Sequence, residues 1–180
     1  YSKLQATTFS LGASYKSTDL SNANSKEKTT SGSFDYLTMA FPAGDFRVAV
    51  GIMPYSFVGY NIQNTSKSGN FTQANQFNGE GGLNRTFLGL SYKINKNFSI
   101  GVDGAYIFGD TETSAITFIT DNGEGVPLDR GSRLRNKNNY SGLAVNAGLN
   151  FEQPLNNKLS LFATATFSPE MKLKNDQESI

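Results

Sequence analysis

Arg47, Arg85, Lys93 and Asp103 are the residues of this chain best placed for chemistry, because each is a charge inside a stretch that otherwise alternates apolar with small or polar side chains. Two arginines on one polar face, most naturally Arg85 with Arg47, could hold the carboxylate of an amphipathic ligand through charge-assisted hydrogen bonds. The plainer arrangement is an internal ion pair, for instance through Asp103, which a polar interior requires whatever the protein does. Ligand capture is the sharper reading and the ion pair the weightier one.

Further along, Arg130, Arg133, Arg135 and Lys137 form a basic stretch. It could neutralise lipopolysaccharide phosphates, or be no more than a solvated strand extension, the reading that weighs more. Asp121-Asn122-Gly123-Glu124-Gly125 lacks the ligand spacing of a calcium loop, so no metal and no cofactor is expected. Cysteine and histidine are absent, which removes thiolate and imidazole zinc sites, thiol nucleophiles and histidine bases. A barrel enzyme would need an unusual Ser-Lys or carboxylate constellation, and none is spelled out. The chain therefore does not read as an enzyme. A net charge of +1 gives no reason to expect nucleic acid.

Strands must position these charges. Seven stretches alternate with period two: from about Ala6 to Lys16, Gly32 to Phe41, Phe46 to a break at Pro54, Arg85 to Ile94, Phe98 to Phe108, Gly142 to Phe151, and Leu159 to about Leu173. In the fifth, Phe98, Ile100, Val102, Tyr106 and Phe108 share one face, and Ser99, Gly101, Asp103, Ala105 and Gly109 the other. Arg47, Arg85, Lys93 and Asp103 all lie opposite the greasy face, where a charge escapes the hydrocarbon.

Tight turns are expected at Pro42–Asp45, Asn95–Asn97 and Pro154–Asn157, and long polar loops near 17–31, 63–81 and 111–129. This alternation of short and long connections predicts an all-β, antiparallel transmembrane β-barrel in the bacterial outer membrane, the long loops extracellular and residues 1–180 part of one barrel domain. Aromatic residues such as Tyr15, Tyr36, Phe41, Phe46, Tyr92, Phe98, Tyr140 and Phe151 gather toward strand ends, as interfacial girdles do. Only 37% of the residues are hydrophobic and 18 are glycine, poor material for a solid core but sufficient for a wall with a wet lining. A soluble β-sandwich is the competing architecture. Strand length argues against it, since globular strands usually stop near five or six residues. About seven strands cannot close a barrel that uses even numbers, so further strands or further chains must complete the wall. Both ends of the chain are accordingly expected to be cuts, with any export signal outside them.

The run Phe41-Pro42, then Gly51-Ile52-Met53-Pro54-Tyr55-Ser56 and Val58-Gly59-Tyr60, then Gly79-Glu80-Gly81-Gly82-Leu83-Asn84, and finally Leu88 through Val102 resembles outer-membrane proteins of the FadL transport family as found in Bacteroidetes. The resemblance implies a 14-stranded barrel of which this chain is the first half without its lumenal plug, conducting hydrophobic molecules such as long-chain fatty acids. It also implies a kinked third strand that opens the wall sideways. Pro54, which cannot donate to a ladder, with Gly51 and Gly59 beside it, is the candidate kink. Its plain alternative is that the strand has already left the membrane there and the proline shapes the outer rim.

Two functions follow: a channel for hydrophobic solutes with lateral exit at the third strand, or a non-transporting barrel serving as scaffold or accessory subunit of a larger outer-membrane complex. The expected partners are membrane lipid and lipopolysaccharide, a hydrophobic small molecule, and other outer-membrane proteins.

Overall fold

The computed structural model describes residues 4–21, 26–69, 71–121, 131–156 and 159–179. Among these the regular elements are strands: β1 (Thr8–Ser21), β2 (Lys26–Ala43), β3 (Phe46–Ser68), β4 (Phe71–Lys93), β5 (Phe98–Asp121), β6 (Ser132–Asn156), β7 (Leu159–Phe167) and β8 (Lys174–Ser179). They form one sheet in the order β1-β2-β3-β4-β5-β6-β7, with β8 pairing β6. The β1–β2, β2–β3, β6–β7 and β6–β8 ladders are antiparallel. Sequential neighbours joined by connections as short as Ser68 to Phe71 or Lys93 to Phe98 can pair in no other way. The chain is thus all-β and antiparallel.

The strands group into two compact units. The first holds residues 1–54, 85–106 and 143–171, and the second 55–84, 107–142 and 172–180.

In the first unit, the alternation in the sequence becomes a two-faced sheet. Leu88, Leu90 and Tyr92 of β4, Ile94 just after it, Phe98, Ile100, Val102 and Tyr106 of β5, and Leu143, Val145 and Leu149 of β6 are exposed. Ser91, Ser99 and Ala105, on the opposite face, are buried. A single sheet leaves its apolar face with no protein to cover it, so hydrocarbon is the medium that face fits. The tight turns are built as their residues dictate. Gly44 takes φ +63° between β2 and β3. Asn95 accepts from the amides of Asn97 (2.8 Å) and Phe98 (2.7 Å) between β4 and β5. In β1–β2 the register passes from Gly12↔Tyr36 to Ala13↔Phe34, so Asp35 is a bulge residue. Its carboxylate is taken up by Ser14 (2.9 Å) and Ser33 (3.2 Å).

The second unit, with parts of β3, β4, β5 and β6 together with β8, carries polar pairs on both faces, although Leu83 and Ile107 are buried within it. Thr117 donates to Asn75 at 2.9 Å on one face. Glu80 and Asn75 stand at opposite parity on β4, and the other face carries Glu112 and Arg135. Three glycines let its strands approach closely. A Cβ on Gly81 (φ +111°) would meet the Asp110 carbonyl, one on Gly109 (φ +151°) the Gly82 carbonyl, and one on Gly82 the Ser56 carbonyl at 2.5 Å.

Three expectations need correction. Much of the segments read as long loops is strand: β1 continues to Ser21 and β2 begins at Lys26, β3 and β4 extend to Ser68 and back from Phe71, and β5 reaches Asp121. Polar composition signalled loops, but a ladder formed by hydrogen bonds and cross-strand polar pairs holds without an apolar face. Next, β3 runs through Pro54 without a break. The β2–β3 ladder ends at Leu37↔Ile52, and a proline is tolerated beyond the end of a ladder, where no partner on that side calls for an N–H. Last, the seventh strand stops at Phe167, and Ser168–Leu173, with Pro169, separates it from β8.

Candidate functional site

The polar face of the first unit carries the densest cluster of functional groups. Arg85 on β4 and Asp103 on β5 form an ion pair at 2.5 Å, each side chain about one quarter exposed. Asn146 on β6 donates to the same carboxylate oxygen at 2.9 Å. The Arg85 guanidinium also sits 5.6 Å from the Phe87 ring centroid, within cation–π range. Beside this trio, Ser91, Ser99, Asp103, Asn146, Asn150 and Thr164 line a groove of about 270 Å³. Among the described residues Arg85 Nε and Ser91 Oγ have no hydrogen-bond partner.

Arg47 lies elsewhere, at the turn end of the sheet. Its Nε donates to the Leu4 carbonyl (2.5 Å), and its Nη1 to the carbonyls of Gly44 (2.6 Å) and Phe46 (2.8 Å). With Lys93, Gln5, Lys96, Asn97 and Glu152 it lines a second groove of about 260 Å³. Next to it, Asn97 clamps the β4–β5 turn to the end of β6. Its side-chain amide donates to the Glu152 carbonyl and to Gln153 (both 2.7 Å), and its carbonyl accepts from the Glu152 amide at 2.8 Å. The four charged candidates therefore sort into two places, Arg85 with Asp103 and Arg47 with Lys93, and the two arginines do not converge on one carboxylate.

Gly51 faces Thr38, the Leu37 carbonyl and Phe87, none of which leaves room for a Cβ. Pro54 is an exposed residue within β3. Gly59, in the second unit, lies under the ring of Phe57. Phe57 itself is 82% exposed.

Of the basic stretch, Arg130 lies outside the described residues, and Arg133, Arg135 and Lys137 alternate along one face of β6. Arg135 grips Glu112 of β5 bidentately, Nε to Oε1 at 2.5 Å and Nη2 to Oε2 at 2.6 Å. That grip, with smaller help from Lys137 and Arg133, holds the Glu112 carboxyl below the usual carboxylate range, and Glu112 raises Arg135 in turn.

Sequence reasoning missed Asn146, Asn97, Glu112 and Gln5. Asn146 could have been found from its place on the polar face of an alternating strand. Glu112 lay hidden because its segment read as loop.

These groups bind one another and offer hydrogen bonds. Among the described residues no cluster of carboxylates could hold a metal. No curated protein and no solved structure matches the chain. One family model does, BamG, over residues 1–180. That match overturns the resemblance to FadL transporters, and with it the reading as a fatty-acid or hydrophobic-solute channel with lateral exit. The glycine- and aromatic-rich runs that carried the resemblance are what any lipid-facing strand uses, and they do not separate one barrel family from another.

Proposed function

We propose, from the premise that this chain belongs to the BamG family, that it is a non-transporting accessory component of the machinery that assembles proteins in the outer membrane. The outer membrane is its location, in keeping with its family and its antiparallel sheet. The observation that carries the assembly role is the family match across all 180 residues. The site is compatible with it: the charges on the polar face are spent on internal pairing, Arg85 with Asp103 and Asn146, as suits a wall element that holds a fixed form. On this reading the chain acts as scaffold and not as catalyst. Membrane lipid covers the apolar face of the first unit, and other outer-membrane proteins are its partners.

Conditional depletion of the whole protein in its native bacterium tests the reading. Falling levels of several unrelated outer-membrane barrels, with uptake of labelled fatty acid by the remaining cells unchanged, is the expected result. Unchanged barrel levels would sink it. Affinity purification from gently solubilised membranes should in addition recover outer-membrane proteins in fixed stoichiometry.

A further inference from the structure

At the tight-turn end of the first unit the charges do not balance. The groove there is bordered by Arg47 of β3, Lys93 of β4 and Lys96 of the β4–β5 turn, and Glu152 of β6 is the one carboxylate among the described residues that line it. Lys93 and Lys96 are exposed. Among the described residues neither lysine makes an ion pair, with Glu152 or with Asp45 of the β2–β3 turn. Arg85 and Asp103, by contrast, neutralise each other.

Arg47 is held in place before any ligand arrives. The carbonyls of Leu4, Gly44 and Phe46 take up its Nε and Nη1, and among the described residues its Nη2 has no partner. A planar guanidinium fixed along one edge and free at the other loses little freedom on meeting a carboxylate. The turn that carries Lys96 is also anchored, because Asn97 donates to Glu152 and Gln153 of β6. Gln5 adds an exposed amide at the rim. The volume of about 260 Å³ has room for side chains of an extended segment but not for a folded body.

Position selects the occupant. On the opposite, apolar parity of the same strands stand two ring pairs, Phe46 with Tyr92 (centroids 4.9 Å apart) and Phe98 with Phe151 (4.7 Å). Aromatic rings at the margin of an apolar band mark the level of the lipid headgroups. Lipid phosphates therefore meet the aromatic face, and the groove opens to water behind it. Connections as short as 44–45 and 94–97 at the margin of that band are of the periplasmic kind. The anions that reach the groove are then those of periplasmic polypeptide.

We propose that this groove docks an acidic, extended segment of a periplasmic partner protein, whose Asp and Glu side chains meet Arg47, Lys93 and Lys96. The proposal rests on the accessory reading above and names the chemistry of one of its partners.

Titration of the full-length protein in uncharged detergent with a fluorescent peptide alternating aspartate and serine, against its asparagine counterpart, tests the site. The aspartate peptide should bind about tenfold more tightly at low salt. Lys93→Gln with Lys96→Gln should remove most of that difference, and Lys93→Arg with Lys96→Arg should keep it. Equal affinity for the two peptides, or a difference untouched by the glutamines, overturns the proposal. In native membranes, a benzophenone side chain in place of Gln5 should crosslink to an acidic segment of another protein, with a lower yield in the double glutamine variant. Capture of lipid, of a neutral segment or of nothing overturns it as well. A double variant that loses the heat-modifiable folded band is replaced by Lys96→Gln alone, whose side chain is exposed in a turn. Barrel levels on depletion report the assembly role separately. Acidic capture with unchanged barrel levels removes that role and leaves the groove, and falling levels without capture do the reverse.

Discussion

Asp103 holds both Arg85 and Asn146 through one carboxylate oxygen. Asp103→Ala should therefore leave a cation without its counter-charge on the polar face, at a cost of about 1.5 to 3 kcal/mol for the lost charged hydrogen bonds. Urea unfolding in lipid vesicles measures it, and Asp103→Asn, which keeps an acceptor, should lose less. Glu112 permits a different measurement. Its carboxyl is lowered in the folded protein, so the grip by Arg135 is complete above the ordinary glutamate range and is lost as pH falls through the lowered value. In Arg135→Ala, carboxyl-carbon NMR should show Glu112 titrating at higher pH than in the parent. The sequence made the Arg85–Asp103 pairing legible, because both charges sit on one parity of neighbouring strands. It left Asn146 and Glu112 unread, since an amide that bridges two strands and an ion pair between segments far apart in the chain depend on register, and register appears only once the strands are paired.

Glycine acts at the level of the element where strands approach one another. Gly81 and Gly109 have positive φ, and a Cβ at either would meet a facing backbone carbonyl, which cannot swing away as a side chain can. Gly109→Ala should cost about 1 to 3 kcal/mol from backbone strain alone. Loss of the heat-modifiable folded band on gels checks it, with Gly104→Ala as the control, because nothing lies within 4 Å of a Cβ there. The apolar strand centres were legible in the sequence to within a residue or two, from Leu88 to Ile94 and from Leu143 to Leu149. Strand length was not. β4 at 23 residues and β6 at 25 run far beyond their apolar parts, because hydrogen-bonded pairing continues where hydrophobic alternation has ended.

For the whole molecule, the two faces of the first unit dictate a polarity that a single charge can test. Leu90, 41% exposed in the middle of the apolar band, should cost about 2 to 4 kcal/mol when changed to Lys if that face meets hydrocarbon. Unfolding free energies in vesicles would show it, and a cost near zero would place the face in water. Fold class and membrane were readable from period two, but the family was not, because lipid selects the same residues in every barrel wall. The extended ladders of the second unit have a further effect. Proteases prefer chain that yields locally, such as loop tips, and must otherwise wait for the substrate to open. Lys67 on β3 and Arg133 and Arg135 on β6 are trypsin sites fixed in strand. A surface built of ladders keeps such bonds out of a protease's reach without burying them.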